Sequence, residues 1–102
     1  MVKVEIPSKV CIGNIQCPII EAELETKFGD FDRTTQVIRY GDDIKGKDIL
    51  RIAILHEVIH AMEMSNTSIG YLSEAQVDNI ALGIMSLLKD NKDLVKWVQQ
   101  NV

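Results

Sequence analysis

The stretch Ala53 to Glu63, AILHEVIHAME, decides how this chain is read. It holds both histidines of the 102-residue sequence, four positions apart, with Glu57 beside the first. It lies inside KDILRIAILHEVIHAMEM (47–64), which is apolar nearly all round apart from these residues. A run of that length and pattern predicts a helix buried in the middle of a domain. Apart from the motif itself, no polar side chain falls between Ile52 and Ile59, so imidazoles and a carboxylate placed there call for a chemical reason.

On a helix, residues four apart share a face and rise about 6 Å relative to one another. His56 and His60 can therefore converge on one metal ion. Glu57 lies about 100° round the helix from His56. That offset suits a general base reaching a water on the metal better than it suits a third ligand. His-Glu-x-x-His serves zinc-dependent peptide hydrolysis for this mechanical reason.

Catalytic zinc wants a third protein ligand. The extension H-E-x-x-H-x-x-G-x-x-H fails here, because position 63 is glutamate and position 66 asparagine. Glu63 is on the histidine face but a further turn from His56, where it packs near His60 or faces solvent. The strongest candidate is Glu74, 14 residues after His60 in the first turn of the next helix. Asp78, one turn on along the same face, is the runner-up ligand. Its other reading is an acceptor that fixes a histidine tautomer, as metal-bound imidazoles require.

Around this centre the pattern is β first, α second. VKVEI (2–6) alternates at period two, and KVCI and IQCPII flank Gly13-Asn14 as a hairpin. GDFDRTTQVIRYG (29–41) reads as a second hairpin, with QVIRY, Gln36 to Tyr40, as its returning strand. That strand is read as an edge able to pair with an extended peptide. Pro18 suits an edge or strand end. EAELETKF (21–28) is either a strand continuation or a short helix. In SEAQVDNIALGIMSLLKD (73–90), Ser73 and Gln76 make a capping box. NKDLVKWVQQNV (91–102) reads as a short terminal helix with Leu94, Trp97 and Val98 inward. The expected fold is α+β in one domain, 1–102: a small N-terminal antiparallel or mixed sheet, an active-site helix, a second ligand-bearing helix and a short C-terminal one.

Composition narrows the setting. A formal charge of −4 disfavours nucleic acid or an anionic membrane as the main partner. No apolar run reaches the roughly 20 residues that span a bilayer. MVKVEIPSK lacks the features of a signal peptide, so a cytoplasmic protein with reduced thiols is expected. A two-residue loop at Gly13-Asn14 sends Cys11 and Cys17 to opposite faces, unbridged. A three-residue loop would set them opposite each other.

HEVIH followed by SEAQVD resembles the gluzincin group of zinc peptidases. Size, element order and the ending LSEAQVDNIALGIMSLLKDNKDLVKWV are similar to the very small single-domain minigluzincins and to related peptidases of phages and mobile elements. The resemblance implies a zincin-like minimal domain with one zinc ion on His56, His60 and Glu74. It also implies Glu57 as general base and Asp78 as the residue that holds His56. Three departures stand out: Ser73 where the larger enzymes carry asparagine, the short gap between His60 and Glu74, and the absence of their downstream domain with its extra transition-state histidine. Tyr71, and less so Tyr40, are candidates to stabilise an oxyanion.

The expected function is thus zinc-dependent hydrolysis of a peptide or protein substrate. The rivals are a non-catalytic or latent zinc domain acting through a protein partner, latent if WVQQNV covers the cleft, and a metal-free interaction domain.

Overall fold

The first hairpin forms where the turn residues place it. In the computed structural model of the chain, which describes residues 5–25, 27–65 and 70–100, strands β1 (Lys9–Ile12) and β2 (Ile15–Ala22) pair antiparallel around Gly13-Asn14. Their register is Ile12↔Ile15, Cys11↔Gln16 and Val10↔Cys17, as a two-residue loop demands. Gly13 has φ 58°, a left-handed conformation that glycine adopts at no steric cost. Alternation buries Ile12, Cys17 and Ile19 and leaves Cys11 exposed, so both thiols are free. Burial pushes the Cys17 thiol pKa up. Of the expected VKVEI strand, residues 2–4 lie outside the described residues, and Glu5 and Ile6 are not in a strand. EAELETKF continues β2 as far as Ala22; Glu23 to Glu25 are irregular, with Leu24 buried.

The second hairpin is β3 (Gly29–Asp32) and β4 (Val37–Gly41). Its turn is tied by the Asp32 carboxylate, which accepts from the backbone N–H of Thr34 at 2.8 Å and of Thr35 at 3.3 Å. The sheet order is β1-β2-β4-β3, with β2 and β4 parallel, so the sheet is mixed. This corrects the expectation that Gln36 to Tyr40 is an edge. Ile38 is paired on one side to Ile19 and on the other to Phe31, and it is 0% exposed. The apolar strand takes the interior, and the strand carrying Asp30 and Asp32 takes the edge, where charge protects open backbone groups. Pro18 is likewise not at a sheet edge. It sits where the β1 ladder ends (Lys9↔Pro18) and the β4 ladder begins (Ile19↔Ile38), a junction that tolerates a missing N–H.

Among the described residues three helices follow: α1 (Lys47–Met64), α2 (Glu74–Asp90) and α3 (Lys92–Gln100). Helix α1 has no single apolar face because it serves two cores. Ile54, Val58, Ala61 and Met62 pack on the sheet against Ile12, Cys17, Ile19 and Ile38. Ile52, Leu55 and Ile59 pack on α2 against Val77 and Ala81. The stripe left over, Ala53-His56-Glu57-His60, runs at spacings i, i+3, i+4 and i+7 along the side that neither core covers. Helix α3 follows α2 after Asn91 and packs on α2. The inward face expected for it is not formed: Leu94, Trp97 and Val98 are 46%, 62% and 46% exposed. Among the described residues this nine-residue helix packs mainly on α2, which leaves those side chains partly exposed. Among the described residues no helix is long and apolar enough to cross a membrane.

Candidate metal centre

This stripe of α1 forms the floor of a cleft of about 740 Å³. One wall is β3, with Gly29, Asp30 and Phe31; the other is the start of α2, with Glu74 and Asp78. That volume suits a small ligand or a few residues of peptide.

The capping box seen in the sequence forms. Ser73 Oγ accepts from the Gln76 N–H at 3.2 Å, and Gln76 Oε1 accepts from the Ser73 N–H at 2.9 Å. This fixes the start of α2 and puts Glu74 in its first turn, where the helix dipole favours a carboxylate. Val77 and Ala81, both 0% exposed, dock α2 on Ile59. Glu74 and Asp78 are then carried over the histidine stripe.

The Nε2 atoms of His56 and His60 stand 3.2 Å apart. Glu74 reaches both: Oε2 is 2.9 Å from His56 Nε2 and Oε1 is 2.9 Å from His60 Nε2. On the far side of each ring is another carboxylate. Asp78 Oδ1 is 2.7 Å from His56 Nδ1, and Glu63 Oε1 is 2.9 Å from His60 Nδ1. Carboxylates therefore face both nitrogens of each ring. In the tautomer that donates from Nδ1 to Asp78 or Glu63, the Nε2 lone pair is free, and two imidazole lone pairs then converge with the two Glu74 oxygens, a set that fits a cation. The spacing agrees, since two nitrogens at about 2.05 Å from a tetrahedral ion are about 3.3 Å apart.

Glu57 lies beside this set, 6% exposed, with Oε2 4.0 Å from His56 Nε2. Burial is the main cause that raises its pKa above the ordinary 4.5; the charges of Glu74 and Asp30 add to the rise, and the two histidines oppose it. His56, Glu57 and His60 offer ligand atoms all within 4.8 Å of one another, a group able to hold a metal ion. Gly29 lets β3 approach this closely: a Cβ there would stand 2.9 Å from the Arg39 carbonyl oxygen and 3.3 Å from Glu57 Cγ. On the same wall Asp30 is clasped by Arg39, whose Nε donates to Oδ1 at 2.7 Å and whose Nη2 donates to Oδ2. That pairing, with help from Lys27, holds the Asp30 carboxyl below its usual range.

Of the residues singled out in the sequence, His56, Glu57, His60, Glu74 and Asp78 meet in this cleft. Tyr71 does not: it precedes α2, is 87% exposed and is not part of the lining. Tyr40 packs against the core between sheet and α1. Residues 97–100 do not line the cleft either. Asp30 and Gly29 had no signal in the sequence, because their role depends on which strand forms the edge. Glu63 carried a partial one, the i, i+3 spacing from His60. No protein-family model matches the chain, nor does any curated protein or solved structure.

Proposed function

We propose that this chain is a zinc-dependent peptidase in which His56, His60 and Glu74 hold the ion and Glu57 is the general base. The observation that carries the reading is the convergence of the two Nε2 atoms and the Glu74 carboxylate, with a buried Glu57 alongside. Glu74 is preferred to Glu57 as the third ligand because both its oxygens lie 2.9 Å from an imidazole nitrogen, against 4.0 Å for Glu57. Asp78, on His56 Nδ1, sets that ring's tautomer. The resemblance of HEVIH and SEAQVD to the gluzincins assigns the same roles.

Zinc in such a ligand set supplies Lewis acidity, making water more acidic and polarising a carbonyl oxygen. Glu57, its pKa raised by burial, takes the proton of the attacking water and returns it to the leaving amine. The substrate in this reading is an extended peptide that pairs with β3, the edge strand bordering the cleft. Gly29 leaves room for Glu57 beneath that strand.

The test is peptide cleavage by zinc-loaded protein. Glu57→Gln should keep zinc and lose hydrolysis, whereas His60→Ala should lose both. Hydrolysis at the wild-type rate by Glu57→Gln sinks the proposal.

A second reading, a zinc-stapled binding domain, is favoured by the apolar side chains exposed along α2 and α3, including Leu87, Leu88, Leu94 and Val98. It predicts zinc binding, unfolding on chelation and no cleavage of any peptide.

A further inference from the structure

The two histidines are steadied in different ways. His56 leans on Asp78, a residue of another helix whose side chain is 62% exposed. His60 leans on Glu63, one turn further along its own helix, whose side chain is only 2% exposed. Glu63 has a second partner. Its Oε2 accepts from Arg33 Nη2 at 3.4 Å, and Arg33 belongs to the β3–β4 turn that Asp32 ties.

A carboxylate that deep is expensive to bury without hydrogen bonds and a counter-charge. Glu63 has one of each, and its hydrogen bond goes to the ring whose other nitrogen faces Glu74. We propose that Glu63 is a positioning residue of the metal centre. It holds His60 in the Nδ1–H tautomer with Nε2 directed into the cleft, and Arg33 anchors it from the edge hairpin. The inference rests on the metal-binding reading above but adds to it, since Glu63 touches neither the ion's place nor a substrate. It also makes the β3–β4 turn, more than 20 residues away in sequence, part of the support of the metal centre: Arg33 and Glu63 are 30 positions apart.

The test has two arms. In the first, long-range ¹H–¹⁵N NMR of the metal-free wild type, at a pH where both rings are neutral, reads the His60 tautomer directly. The Nδ1–H form is expected, and the Nε2–H form overturns the proposal without any variant having to fold. In the second, zinc affinity is measured by chelator competition and the ligand field by the Co²⁺ absorption spectrum. Glu63→Ala should weaken zinc about 10- to 100-fold, as lost partners of metal-bound histidines do, and alter the Co²⁺ spectrum. Glu63→Gln, whose amide oxygen can still accept from Nδ1, should recover part of that loss. Arg33→Ala should weaken zinc less than Glu63→Ala. Wild-type affinity and spectrum in Glu63→Ala, with His60→Ala having lost zinc, overturns the positioning role alone. Equal zinc binding by wild type and His60→Ala overturns the metal site and this proposal together.

Discussion

The candidate site has two halves of unlike construction. The α1 half, comprising His56, Glu57, His60 and Glu63, is buried or nearly so and is held by a helix packed on both sides. The α2 half, Glu74 and Asp78, has side chains 73% and 62% exposed and, among the described residues, rests mainly on the docking of α2 on α1. The histidine pair is organised by the fold itself, whereas Glu74, the third ligand in the proposed reading, is organised by a helix–helix contact. The first half should survive local damage that disables the second.

The largest expected effect comes from breaking the contact that joins the halves. Ile59, 1% exposed, lies between α1 and Val77 and Ala81 of α2. Ile59→Ala should cost about 2–5 kcal/mol in denaturant unfolding. Because α2 carries Glu74, zinc affinity should fall as well, which chelator competition would detect. Next is Asp78→Ala, which removes the His56 partner from the exposed half and should weaken zinc about 10- to 100-fold with little change in thermal midpoint. An unfolding midpoint lowered by many degrees would mean that Asp78 supports the fold more than the ring. Ser73→Ala deletes half of the capping box and should cost about 1 kcal/mol, with zinc binding weakened in step as the first turn of α2 frays.

The smallest effects are told apart by sign, in metal-free protein. The Glu57 carboxyl is raised by burial, so its ionised form is a penalty that appears as pH climbs from about the unfolded value through the folded one. Glu57→Gln should therefore be more stable than wild type at pH 7 to 8, with the gap closing below about pH 4. Asp30 is the opposite case. Arg39 lowers its pKa, so its contribution is present above the ordinary 3.8 and is lost as pH falls through the folded value. With Arg39 41% exposed, Asp30→Asn should cost about 0.2–1 kcal/mol at neutral pH. Equal pH profiles of unfolding for the two variants would contradict the burial assigned to Glu57.

Much of this arrangement was legible in the sequence, for local reasons. The limits of α1, the capped start of α2 and the Gly13-Asn14 register all follow from signals within a few residues of where they act. Glu74 and Asp78 could be placed because helical spacing and a cap fix them once α2 exists. The misreadings were non-local. Nothing in Gln36 to Tyr40 says that β4 pairs in parallel with β2 and so leaves the edge to β3. An amphipathic pattern in α3 says that one face is apolar, not that a surface exists to cover it. Tyr71 carries chemistry that suits an oxyanion, but no periodicity constrains where its side chain lies. Arg33 meets Glu63 only through the packing of a turn on a helix.

The most direct test of the account is the zinc content of protein purified without added metal and then titrated with zinc. One zinc per chain is expected in the wild type and in Glu57→Gln, and none held at the same concentration by His56→Ala or His60→Ala. A wild-type chain that takes up no zinc, or histidine variants that hold it as tightly as the wild type, would contradict it.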